Sequence, residues 1–292
     1  MSIFTSELFK SKPYRLGLTL SGGGAKCMAH IGLLQYLKEQ GVEPDIISGA
    51  SGGAMVGALH SAGYAPEEIL DFFVSTKMFS LKNLSFNALG LIDSAKIAKN
   101  FQPYFPEDSF ESLKKPLYVV ATDLNKAQQT VFNSGSLINA LTASSAYPAM
   151  FTPVKWQGTV YADGGIINNY PSDLIHDLCR HHIGMYLAPI MSRPSEHFAN
   201  TFDVLDRVFQ IYSSARQFAN INLPEVSLAP EGIEDCSAFM VKPDQLKSIY
   251  EMGYNSCRKY FESEGAQWLS TIKGGNPKRT SWFKLPIGSD TQ

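Results

Sequence analysis

The feature that most constrains this chain occurs twice near its start: a short apolar segment, a glycine-rich turn, then a stretch with helical spacing of apolar residues. Arg15 to Leu20 (RLGLTL) reads as a buried strand, SGGG follows, and AKCMAHIGLLQYLKEQG carries a helix that Gly41 ends. Asp45 to Ser48 (DIIS) is the second strand, with GASGGAMVGALHSAG as its turn and helix. Pro116 to Leu124 (PLYVVATDL) and Gln129 to Phe132 (QTVF) predict further strands, SLINALTASSA a helix, and TVYADGG the end of another strand. SDLIHDLCR predicts a short helix and Ile183 to Ala188 (IGMYLA) a strand. Ala65-Pro66-Glu67-Glu68 opens a helix reaching about Lys77, because proline lacks the N–H that a first turn leaves unpaired and acids suit the positive end of the helix dipole. Helical patterns near Phe202 to Phe218 and Pro243 to Phe261, with a strand at Glu225 to Leu228, complete the reading. Parallel neighbours need crossover helices, so the alternation predicts a layered α/β fold with a largely parallel central sheet.

Composition narrows the function. With 292 residues, 44% of them hydrophobic and 18% charged, the chain can bury a sizeable core as one large domain or two closely joined ones, and a single domain over 1–292 with its core at about 15–261 is expected. The residues after Gly274 form a loosely packed tail in this reading. Net charge is −2 with both signs spread along the chain, which argues against nucleic acid as a partner. The first residues lack a secretory pattern and no apolar run reaches the roughly 18 residues of a membrane span, so a soluble, cytoplasmic protein is expected. The four cysteines (Cys27, Cys179, Cys236, Cys257) lie far apart and none falls in a CxxC or among histidines at ligand spacing, so neither structural zinc nor a disulfide framework is expected.

Gly49-Ala50-Ser51-Gly52-Gly53 matches the G-x-S-x-G nucleophile elbow and stands between a predicted strand and a predicted helix, where a strained turn exposes the serine Oγ. The bland alternative is a plain glycine turn. Ser21-Gly22-Gly23-Gly24-Ala25-Lys26 resembles a phosphate loop but lacks the Gly-Lys-Ser/Thr that a P-loop needs, and Cys27 stands where a dinucleotide fingerprint has glycine. Consecutive glycines at a helix start can instead present backbone N–H groups to an oxyanion, or simply make a tight turn. Asp163-Gly164-Gly165 closes a strand, with glycines that let the carboxylate approach a nucleophile borne on another strand end. The histidines offer no catalytic loop: His30 and His60 fall inside predicted helices, His176, His181 and His182 in or just after a short one, and His197 stands apart.

Four ordered blocks carry a family resemblance: Gly22-Gly23-Gly24-Ala25-Lys26, the Ser51 elbow, Ala143-Ser144-Ser145-Ala146-Tyr147-Pro148-Ala149-Met150-Phe151-Thr152-Pro153, and Asp163-Gly164-Gly165-Ile166-Ile167-Asn168-Asn169-Tyr170-Pro171. From about Arg15 to Phe261 the chain resembles the patatin-like phospholipases. The resemblance implies a three-layer α/β/α fold and hydrolysis of lipid acyl esters without a metal or cofactor. It further implies a dyad of Ser51 as nucleophile and Asp163 as proton acceptor, in direct contact without histidine, and an oxyanion hole at Gly22, Gly23 and Gly24. The family's glycine turn usually ends in glycine where this chain has Cys27, which reads either as a buried small hydrophobe or as a reactive thiolate. Lys26 either supports the oxyanion side or is a solvated helix-start lysine. The apolar segment Lys77 to Ile92 is either core or a lid over the acyl chain. Lys278, Arg279, Trp282, Phe283 and Lys284 belong either to a solvated tail or to a peripheral contact with an anionic membrane. Two rival functions remain open at this point: a non-catalytic lipid-binding or scaffold protein on the same fold, and a Ser-His-Asp α/β-hydrolase.

Overall fold

A computed structural model of the chain describes residues 12–76, 78–79, 92–148, 150–239 and 241–274. Eight strands form one mixed sheet: β1 (Tyr14–Leu20), β2 (Ile46–Ala50), β3 (Leu117–Asp123), β4 (Gln128–Phe132), β5 (Val154–Trp156), β6 (Thr159–Asp163), β7 (Cys179–Met185) and β8 (Val226–Leu228), in the order β5-β6-β3-β2-β1-β7-β8 with β4 also paired to β3. From β3 through β8 the pairing is parallel; β4, β5 and β6 add antiparallel pairs at one side. The expected parallel sheet is therefore present but carries an antiparallel margin, including a strand, β5, that the sequence pattern does not announce.

Helices cover both faces. Leu16, Leu18 and Leu20 of β1 join the main core with α1 (Met28–Glu39), α2 (Gly52–Ala62), α3 (Pro66–Thr76) and α9 (Pro243–Phe261). Side chains alternate across a strand, so Gly17 and Thr19 face the other side, where Ile46, Ile175 and Cys179 form a second cluster with α6 (Asp173–His176). The remaining α-helices among the described residues are α4 (Ala95–Phe101), α5 (Leu137–Ser144), α7 (Thr201–Ala215), α8 (Phe218–Ile221) and α10 (Ala266–Gly274).

One boundary differs from the sequence reading. The helix expected across SDLIHDLCR stops at His176, and β7 starts at Cys179, four residues before the expected strand. Two histidines obscure it. His182 sits inside the sheet with Nε2 2.8 Å from Thr19 Oγ1, and His181 Nδ1 lies 2.9 Å from Glu225, so both polar rings are partnered within an otherwise apolar strand. Phe79, at one end of the apolar Lys77 to Ile92 segment, is buried and stacks on Phe73 at 5.7 Å. Residues 80–91, which would decide between lid and core, lie outside the described residues, as does the tail 275–292.

Candidate active site

The site is assembled by the way three strands share an edge. β4 pairs with β3 over Val119 to Asp123, which overlaps the stretches paired to β2 and to β6, so those two strands must share the opposite edge of β3. β2 runs parallel to β3 and ends with Ala50 opposite Val120. β6 runs antiparallel and ends with Asp163 opposite Ala121. The two strand ends thus meet head to head at adjacent residues of β3, and residues more than a hundred positions apart become neighbours: Ser51, the first residue after β2, and Asp163, the last of β6. Gly164 is required at this junction, because a Cβ there would lie 2.1 Å from the Val120 carbonyl oxygen.

Ser51 takes φ 50° and ψ −126°, a left-handed conformation that costs a non-glycine residue about 1–3 kcal/mol and that marks functional turns. Its carbonyl accepts from Met55 N–H, starting α2, and its own N–H donates to Ser144 Oγ at 2.9 Å. A Cβ on Gly53 would stand 2.2 Å from the Leu20 carbonyl oxygen, so the turn packs backbone against backbone under the β1 turn. The elbow is held by its neighbours, and only 9% of Ser51 is exposed.

Asp163 is 1% exposed. Burial pushes its carboxyl up to about 7; the Ser51 hydroxyl and the Gly165 N–H draw it back. Gly165 N–H donates to Oδ1 at 2.7 Å, whereas Oδ2 has no formed hydrogen bond. The Ser51 hydroxyl thus stands near enough to the carboxyl to lower it, while Oδ2 is buried without a hydrogen-bond partner among the described residues.

Opposite them lies the glycine turn after β1. The Gly22 N–H is engaged with the Asn169 carbonyl at 3.0 Å, which leaves the N–H groups of Gly23 and Gly24 without a hydrogen-bond partner among the described residues. Gly24 has φ 55°, and a Cβ there would meet the Ala238 carbonyl oxygen at 2.3 Å. Cys27 follows this turn fully buried, with burial pushing its thiol up; it packs as a small hydrophobe, and the reactive-thiolate reading is wrong. Its Sγ lies close to Gly52, which a Cβ would bring within 3.1 Å.

The Patatin-like phospholipase family matches residues 18–175, more than half of the chain, and that span contains the elbow, both glycine turns and the aspartate. The chain belongs to the patatin-like phospholipases. An uncharacterized NTE family protein of Mycobacterium tuberculosis is 35% identical over 159 residues, which are 54% of this chain and 44% of that protein. Neuropathy target esterase sws of Drosophila melanogaster is 27% identical over 220 residues, 72% of this chain and 15% of that protein. The chain thus spans less than half the length of these curated relatives. Among solved structures, VipD from Legionella pneumophila superposes with a TM-score of 0.48 at 16% identity, covering 86% of this chain and 67% of VipD.

In this patatin-like protein, Ser51, Asp163 and the three glycines line a single cleft of about 550 Å³. Part of its lining, between Leu187 and Phe239, lies beyond the family match. Lys26 and Arg193 both reach the Glu234 carbonyl, and burial holds the Lys26 ammonium below its usual range. Lys26 is 9% exposed, so it is not the solvated lysine that the sequence left open. Tyr147 donates to Asp206 at 2.6 Å and packs on Phe209 of α7 at 4.4 Å. Ser213 of α7 donates to the Gly165 carbonyl at 2.6 Å, tying α7 to the aspartate loop. Sequence reading gave Ser144 and Asn169 no role of their own and missed Ser213 and the cleft-facing side of α7 as parts of the site. Of the six histidines, His197 alone lines the cleft, exposed at its rim. His30 is fully buried with Nε2 on the Ser21 carbonyl and is pushed down to about 4, and His182 belongs to the sheet interior.

Proposed function

We propose that this protein hydrolyses lipid acyl esters with Ser51 as nucleophile, Asp163 as its base and the Gly23 and Gly24 N–H groups as oxyanion donors. The observation that carries the reading is the meeting of a strained, cleft-facing serine with a desolvated carboxyl that keeps a free oxygen. An ordinary carboxylate near 4 is a weak base at neutral pH, whereas one near 7 is matched to general-base work.

In the first half-reaction Ser51 Oγ bonds to the ester carbonyl carbon as its proton passes to Asp163 Oδ2. The carbonyl π electrons move onto oxygen, where the two glycine N–H groups stabilise them. Collapse breaks the bond to the alcohol, which leaves with the proton from Asp163. Water then attacks the acyl-serine with Asp163 again accepting the proton, which it returns to Ser51 Oγ as the acyl–oxygen bond breaks and the fatty acid departs. The strain at Ser51 keeps Oγ at the cleft. The anchored Gly22 sets the angle of the two following N–H groups.

Labelling with a fluorophosphonate ester probe tests the reading. Wild-type protein should react at Ser51, and Ser51→Ala should lose both the label and ester turnover while melting at the wild-type temperature. A folded Ser51→Ala protein with normal turnover would end the assignment. His197→Ala should keep most of the activity; a folded but inactive His197→Ala variant would favour the histidine-based hydrolase instead.

A further inference from the structure

A soluble protein's surface helix ordinarily turns polar residues to water and apolar ones to the core. α7 does the reverse. Val204, Leu205, Val208, Ile211 and Tyr212 are 45%, 50%, 57%, 50% and 48% exposed. At the helical repeat they occupy one arc of about 120°, within which Thr201–Ala215 has no charged residue. The opposite arc contains Asp206, Phe209, Gln210 and Ser213, which line the cleft. The loop before α7 extends the apolar surface with Met191, 52% exposed, and Phe198, which is 40% exposed and also lines the cleft. At the far end of the helix Arg216 donates to the Tyr212 hydroxyl at 2.7 Å and stands 5.5 Å over its ring, an aromatic and a cation side by side at the edge of the patch.

Exposed apolar side chains are common singly, but five on one face of a helix whose opposite face lines a cleft mark an interaction surface. The helix is thin between its two faces. Whatever seats on the outer face comes to rest beside the opening of the cleft. We infer that the outer face of α7 docks the protein on the surface of a lipid bilayer, so that a lipid passes from the membrane past Phe198 into the cleft. The inference rests on the acyl-hydrolase reading for the choice of partner: a water-insoluble substrate lies in a bilayer, and the helix that carries the patch also walls the cleft that the substrate must enter. The absence of charge across the arc makes insertion of apolar side chains the source of binding, so a zwitterionic bilayer suffices and added salt leaves binding intact.

The test is flotation of the full chain with phosphatidylcholine vesicles. Wild type and Ser51→Ala should both partition, at roughly 0.1 and 0.5 M salt alike. A variant with Leu205→Ser, Val208→Ser and Ile211→Ser should lose at least about tenfold in partition coefficient, since each change removes apolar area from the interface. None of the three residues lines the cleft, so this variant should hydrolyse a short, water-soluble ester at the wild-type rate and lose turnover on vesicle lipid. Failure of wild type to float, equal flotation of the triple variant, or flotation only on anionic vesicles at low salt would overturn the inference. So would a wild-type dimer that the triple variant dissociates without any vesicle binding, because a second copy would then cover the face. If wild type floats but hydrolyses neither ester, the hydrolase reading fails and the docking surface stands.

Discussion

α2 and α7 both border the cleft, yet they are held in opposite ways. α2, which starts just after Ser51, has ten of its 11 residues buried. In α7, among the residues whose side chains are described, only Ser213 is buried. The first is locked from all sides, with backbone so close at Gly53 that no side chain fits. The second is attached along one face by a few polar contacts. In the proposed mechanism, chemistry that depends on sub-ångström placement sits on the packed element, and the proposed docking face sits on the lightly attached one. The family match covers α2 and ends before α7.

The comparison breaks most sharply at Asp163. Asp163→Asn keeps the shape but removes the proton acceptor, and kcat should fall by three or more orders of magnitude. In the wild type kcat should rise with pH through an inflection near 7, as the base loses its proton. Stability should move the other way. The folded-state value of about 7 lies above the unfolded value near 4, so the folded state binds the extra proton between them. Wild-type stability from this group is therefore full below about pH 4, declines as pH rises, and is lost above 7. Asp163→Asn should melt higher than wild type at pH 8, by the equivalent of a few kcal/mol at most, with the gap closing toward pH 4. A variant no more stable at pH 8 would mean that the carboxylate is better solvated than its burial implies.

Gly53→Ala comes next. Its Cβ would collide with the Leu20 and Ser21 carbonyl oxygens, at 2.2 and 2.5 Å, and backbone cannot step aside as a side-chain end would. A loss of roughly 3 kcal/mol or more in chemical denaturation is expected, with activity lost alongside. Ser213→Ala removes the tie between α7 and the aspartate loop and should cost about 1–2 kcal/mol, with a modest fall in kcat. Equal losses at Gly53 and Ser213 would erase the distinction between the two helices. At the small end, Val208→Ser on the outer face of α7 should change stability by less than about 0.5 kcal/mol.

Much of this could be read from the chain, for identifiable reasons. The elbow, the glycine turn and the Asp163 loop are short local devices in which a glycine is needed at a fixed offset from a functional residue, and such offsets survive in a linear sequence. β7 was half hidden because His181 and His182 are polar residues satisfied by Thr19 and Glu225, partners that no window around the strand contains. Gly22 looked equivalent to Gly23 and Gly24, yet its N–H is taken by Asn169, a residue in the loop after β6. The apolar residues of α7 read as an ordinary helical pattern, because periodicity tells that a helix has a face and not which way the face points.

By itself the sequence determined the alternation of strands and helices, the positions of the two tight turns and the identity of the groups able to do chemistry, all of which follow from local backbone preference and side-chain type. The tertiary structure decided that β6 runs antiparallel into the end of β2 along one edge of β3, so that Ser51 and Asp163 face each other. Strand direction and register depend on which edge is free once the other strands have paired, and no stretch of sequence contains that information. The same packing removed water from Asp163, and it is the loss of solvent, a property of the assembled interior, that raises this carboxyl from the ordinary carboxylate range to about 7.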